Sequence, residues 1–105
     1  MSKETANEVY SGYIGACCVV RSVAAGVYYG IIEAVDGQTV RMKTVRNIWR
    51  WKGANCLADV AEAGIKEGLV SRVVPSMVLT GVCQIIPLSE AAMSNLDDRP
   101  SWIAL

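Results

Sequence analysis

The residues with most to offer a ligand lie in the stretch Thr44 to Asn55, TVRNIWRWKGAN. Between Gly37 and Ala58 the chain carries no Asp or Glu, while Arg41, Lys43, Arg46, Arg50 and Lys52 fall in that window beside Trp49 and Trp51. Arg presents a planar fork of donors that fits phosphate, and Trp a flat face on which a base can stack. In an extended segment side chains alternate, which puts Trp49 and Trp51 on one face and Ile48, Arg50 and Lys52 on the other. The plain alternative is a sheet strand with Trp in the core and Arg outside for solubility. Arg21 is the only charge in the strand-like run ACCVVRSV, residues 16–23. Its side chain either reaches back to water or serves a partner. The bare Ala24-Ala25-Gly26 that follows is open enough for a ligand or another backbone to approach, and equally suits a tight hairpin.

The chain is poor in catalytic groups. It has no His, the commonest general base and the usual partner of a Ser or Cys nucleophile. Cys17, Cys18, Cys56 and Cys83 do not form a CxxC pair, so a zinc site is not expected and small buried thiols are. No phosphate-loop or dinucleotide-binding glycine motif occurs. Neither an enzyme activity nor a cofactor is expected. Hydrolysis through a Glu or a metal-bound water stays open without support from the residues.

Charge and length narrow the partners. Ten basic and ten acidic residues give zero formal net charge, which argues against a duplex DNA binder and leaves room for a small anionic ligand at a local basic site. At 105 residues and 52% hydrophobic, residues 1–105 read as a single domain with one core. No apolar run is long enough to span a bilayer, and the mixed-charge start MSKETANE does not read as a signal peptide, so a cytosolic protein is expected.

The elements that must position these residues follow from periodicity and turn chemistry. A short helix is expected over 2–10, and strands over 16–23, 27–35 and 38–43, with Asp36-Gly37 turning the second hairpin. The apolar alternation slips at Thr44 and Val45, which predicts a bulge before the basic-aromatic strand. Asn55 is a candidate cap for a helix that Gly64 ends, and residues 66–73 read as a surface loop. SMVLTGVCQIIP, ending at Pro87, reads as one last, central strand. Ser89 caps a final short helix that stops at Asp97-Asp98-Arg99-Pro100. Trp102 needs cover, from its own core or a neighbouring subunit. The sum is an α+β domain, a small curved antiparallel β-sheet (meander plus basic-aromatic strand) with short helices, small and apolar enough to form oligomers.

The run VVRSVAAGVYYGIIEAVDGQTVRMKTVRNIWRWKGANCLADVAEAGI, followed by VLTGVCQIIPLSEAA, resembles a family of small phage and prophage proteins. The A-G-V-x-x-G turn and the I-W-x-W-x-G-A core carry the likeness, which extends over roughly residues 14 to 102. That family is identified as the first-described Thoeris anti-defence family. The resemblance implies a sponge that binds cyclic nucleotide immune signals, cyclised ADP-ribose or cyclic di- and trinucleotides, and holds them intact in the cytoplasm of the infected bacterial host. It implies a homo-oligomer, a hexamer as a trimer of dimers or a dimer, with pockets at subunit contacts that block Thoeris or CBASS effector activation. By position it offers Arg21, Arg50, Asn55 and Arg99 as ligand-binding candidates, with Ala25 and Gly26 in the open turn. The chain departs from the pattern where Thr44-Val45 replaces an A-R pair and where Gly81 stands for a larger residue. The alternatives are a phage structural or protein-interaction module docking through the basic-aromatic strand, a single-strand nucleic-acid binder, and a phosphodiesterase.

Overall fold

The computed structural model describes residues 9–52 and 56–101, including the side chains of all but residues 49, 50 and 52. The expected helix over 2–10 falls mostly outside these residues, as do Asn55 and Trp102. Val9 and Tyr10 are helical and lead through a turn into β1 (Cys17–Ser22). β2 (Gly26–Asp36) and β3 (Thr39–Lys52) complete an antiparallel meander. α1 (Leu57–Ala63), β4 (Glu67–Val70), β5 (Val74–Leu79), β6 (Val82–Pro87) and α2 (Glu90–Asp97) follow. The fold is α+β, a curled antiparallel half-barrel with two short helices among the described residues.

β1, β2 and β3 are the inner strands. The sheet order is β4-β3-β2-β1-β6, with β5 also pairing with β3. β4 and β5 run end to end along one side of β3, β4 against Ile48–Lys52 and β5 against Val40–Val45. The expected loop at 66–73 therefore contains a strand: Val70 is buried and pairs with Ile48, which supplies the apolar contact that a polar-looking stretch concealed. The single central strand expected over SMVLTGVCQIIP is two strands on different neighbours. Gly81, at φ 63, breaks it, and β6 crosses to pair with β1 at the far edge. So short a crossover requires the sheet to curl until its two sides approach. Val82 N–H then donates to the Gln38 carbonyl at 2.9 Å, and Val23 N–H to the Gly81 carbonyl at 3.0 Å.

Each face of the sheet carries its own core. Val19, Val27, Tyr29 and Ile48 pack under the helices with Val60, Ile65, Ala92 and Leu96. Val20, Ile32, Val40, Met42 and Val45 fill the inside of the curl. The alternation expected of β1 places Cys17 toward the helices and Cys18 in the curl.

Bulges decide which face a β3 side chain reaches. The pairing of β2 with β3 slips between Tyr29 and Ile31, opposite Thr44, whose φ is 53. The bulge expected at Thr44 and Val45 is present. Val40, Met42 and Val45 face the curl, and the extra residue turns Arg46 and Ile48 to the helix side. A second slip, between Ile48 and Arg50 against β4, corrects the alternation expected of the aromatic segment. Ile48 and Trp51 both pack on the helix-side core instead of taking opposite faces. A third, between Ile32 and Ala34, brings Val35 into the curl with Ile32.

α1 begins after Cys56 in extended backbone, with no side-chain cap bond. Gly64 ends it at φ 81, and the Ile65 N–H donates to Asn95 Oδ1 at 2.8 Å, tying α1 to α2. Ser89 caps α2 as expected, its hydroxyl accepting from the Ala92 N–H.

Candidate functional site

The start of α1, the end of β3 and the β1–β2 turn enclose a cleft of about 560 Å³. Arg21, Gly26, Trp51, Cys56, Ala58 and Gln84 are among its lining residues, and none of its described lining residues is Asp or Glu. Arg21 comes from β1, where Val19, two residues earlier, points under the helices, so the strand period sends the guanidinium to the same side at the open end of the sheet. There Arg21 is exposed, and among the described residues its guanidinium has no ion-pair partner. Gly26 enters β2 at φ 99, a conformation only glycine takes without strain. A Cβ there would meet nothing nearer than Asn47 Nδ2 at 4.0 Å, so the turn backbone borders open space. Ala25 lies at its exposed tip, held by its N–H donating to Ser22 Oγ at 3.3 Å. Trp51 is half-buried against the helix-side core and reaches the cleft with the remainder of its surface.

The cleft thus brings together Arg21 and Gly26, with Ala25 beside them. The backbone of Arg50 pairs with Leu69 in β4; its side chain, like Asn55, is outside the described set. Arg99 lies apart. It sits at the other end of α1, where its guanidinium donates to the carbonyls of Ile65 and Lys66.

Arg46, which the sequence reading passed over as one cation among several, is the most heavily engaged side chain. It is 6% exposed. Its Nε donates to the Ser71 carbonyl at 2.7 Å, in the break between β4 and β5. Nη1 donates to the Leu96 carbonyl at 3.2 Å and to the Tyr29 hydroxyl at 3.3 Å, and Nη2 to the Arg99 carbonyl at 2.8 Å. The Tyr29 hydroxyl in turn donates to Asp97 Oδ1 at 2.9 Å. A cation here meets the carbonyl end of α2, where the helix dipole favours it. This network joins sheet, strand break and final helix, and leaves Arg46 no donor for a ligand in the cleft. Carrying the expected bulge one residue further along the alternation would have turned Arg46 inward.

Burial raises the pKa of three ionisable groups around the core. Burial and the Asp97 charge push the Cys17 thiol up to about 11, and burial with the neighbouring Cys17 pushes Cys18 up to about 11. Burial outweighs the Arg46 hydrogen bond and pushes the Tyr29 phenol up to about 12. These groups stay protonated and are poor nucleophiles. The expectation of buried thiols holds for Cys18 and partly for Cys17, whereas Cys56 and Cys83 are exposed. Ser22 is committed, its hydroxyl donating to the Thr80 carbonyl at 2.7 Å. Among the described residues no helix is long and apolar enough to cross a membrane.

A family model described as a domain of unknown function (DUF6948) matches residues 15–96, which span every element from β1 to α2 but the last residue of α2. No curated protein matches the chain.

Proposed function

The chain belongs to the DUF6948 family, and we propose that it is a sponge for cyclic nucleotide signals, holding them intact and away from the effectors they activate. The observation that carries the reading is the meeting of Arg21 with Trp51 at one cleft of about 560 Å³, where among the described residues Arg21 has no ion-pair partner and the lining no carboxylate. A cyclised ADP-ribose or a cyclic dinucleotide offers phosphate to the guanidinium and a base to the indole. The cleft lies within the size range of small-molecule sites. Release of an intact ligand is expected because the chain has no His and no described lining residue is a carboxylate that could activate water.

The rest of the reading follows the same chemistry. Arg50 and Asn55 flank Trp51 and Cys56 in sequence and are proposed to extend the phosphate contacts. Arg99, at the far end of α1, would serve a second ligand contact only by leaving its carbonyl partners. A homo-oligomer, a dimer or a hexamer as a trimer of dimers, would close the open cleft with a second copy. The protein would act in the cytoplasm of a phage-infected bacterium, against Thoeris or CBASS signalling. Against the docking-module alternative, β4 pairs with the basic-aromatic strand along Ile48–Lys52 and closes that edge to a partner.

The test is a titration of purified protein with cyclic dinucleotides, cyclic trinucleotides and cyclised ADP-ribose isomers, followed by denaturation and mass spectrometry of what is released. One of these should bind and return unaltered, and Arg21→Ala should weaken it about 10- to 100-fold, the size of a lost charge-assisted hydrogen bond. Degraded ligand, no binding across the panel, or undiminished affinity in a folded Arg21→Ala protein would each overturn the proposal.

A further inference from the structure

A second cleft, of about 490 Å³, opens among the turn after Tyr10, the β2–β3 turn and the first residues of β6. Its chemistry is unlike that of the Arg21 cleft. Tyr10 and Tyr13 contribute phenol rings, Gln38 and Gln84 contribute carboxamides, and Val82 and Ile85 add apolar surface. Among the described residues no Lys, Arg, Asp or Glu lines it.

The walls are tied down by backbone hydrogen bonds. The Tyr13 and Ile14 N–H groups donate to the Tyr10 carbonyl at 2.8 and 3.1 Å, and the Gly15 N–H donates to the Ile32 carbonyl at 2.7 Å, fixing the turn to β2. The Val82 N–H holds the opposite wall through the Gln38 carbonyl at 2.9 Å. Tyr10 and Tyr13 also pack against the core inside the curl, which limits the freedom of their rings. Walls set by packing and backbone bonds are those on which a precise site can be built.

The lining selects by charge and shape. The described lining offers phosphate no cation as counter-charge and an amine no anion. An aromatic face favours a flat ring, and a carboxamide can donate and accept along one edge of such a ring, as Gln does with adenine. We propose that this cleft is a separate binding site for an uncharged nucleobase or nucleoside, with the heterocycle against Tyr10 or Tyr13 and its polar edge on Gln38 or Gln84. The site is independent of the Arg21 cleft in its residues, except that Gln84 borders both.

Calorimetric titration of the full chain with adenosine, guanosine, cytidine and uridine tests this, with adenosine 5′-monophosphate and maltose as comparisons. At least one nucleoside should bind, and adenosine 5′-monophosphate should bind at least 10-fold more weakly than the tightest nucleoside. Gln38→Leu, at an exposed turn position that leaves the core intact, should reduce nucleoside affinity about 10-fold, and Tyr13→Leu should do the same. Arg21→Ala should leave it unchanged, which separates this site from the sponge cleft whatever becomes of that reading. Failure of every nucleoside to bind at millimolar concentration overturns the proposal. So does maltose binding as tightly as the nucleosides, or nucleoside affinity undiminished in both Gln38→Leu and Tyr13→Leu.

Discussion

At the scale of single residues, two arginines of one small sheet meet opposite ends. Arg21 is exposed and without an ion-pair partner among the described residues, while Arg46 donates to carbonyls from three parts of the chain. Removing the Arg46 guanidinium would strand those buried acceptors and the Tyr29 hydroxyl together, and a buried polar group without a partner is costly. Arg46→Met is therefore expected to lower the unfolding free energy by about 3 kcal/mol, the order found when one member of a buried charged network is lost. Arg46→Lys keeps the charge but not the fork, so it should recover only part of that loss. Urea denaturation of the three proteins at one pH would show the ranking. A Met variant as stable as the parent would mean that water replaces the guanidinium without penalty. Charge alone did not separate the two arginines in the sequence. What separates them is register, and register is written in the neighbours: a lone Arg in an apolar strand for Arg21, a slip in alternation just upstream for Arg46.

At the scale of elements, β3 is long because two bulges let it serve both faces. The first depends on Gly30. A Cβ at that position would meet the Lys43 and Thr44 carbonyl oxygens at 3.0 Å each and the Val45 Cα at 3.1 Å, all of them backbone. Backbone cannot swing aside as a side chain can, so Gly30→Ala should press on the bulge that turns Arg46 under the helices. The expected cost is about 1–3 kcal/mol, as for added volume in a packed interior. The midpoint of urea unfolding should fall without a change in slope, and a shift below about 0.5 kcal/mol would show that the bulge relaxes freely. The same two bulges mark how far the elements could be read in advance. The meander, the Asp36-Gly37 turn, the slip at Thr44-Val45 and the Ser89 cap rest on local chemistry and were legible. The second bulge depends on pairing with β4, and β4 itself shows no alternation of its own; both are set by long-range partners, Ile48 against Val70. The division of SMVLTGVCQIIP was signalled by Gly81, but the crossing of β6 to the opposite edge follows from the curl of the whole sheet.

At the scale of the whole molecule, one curled sheet separates two apolar cores that share few elements beyond the strands themselves. Of the candidate site, the sequence could name Arg21 and the open turn at Gly26, because each interrupts a local pattern. It could not bring them to Trp51, because that meeting depends on the second bulge and on how α1 lies across the sheet. The two-core arrangement has a thermodynamic consequence. Val60, in α1, belongs to the helix-side core with Val19, and Val40, in the β2–β3 hairpin, belongs to the curl; all three are 0% exposed. Each truncation to Ala should cost about 1–3 kcal/mol. Residues without shared partners combine additively to within about 0.5 kcal/mol, whereas residues of one packed cluster couple. The Val60→Ala/Val40→Ala double variant should therefore equal the sum of its singles, and Val60→Ala/Val19→Ala should deviate from its sum, since the second cavity opens into packing already loosened by the first. Urea unfolding of the five variants beside the parent supplies both comparisons. Coupling between Val60 and Val40 as large as that between Val60 and Val19 would mean that the sheet transmits packing strain from face to face, and that the Arg21 cleft on the helix side and the Tyr10–Gln38 cleft at the curl respond to one another.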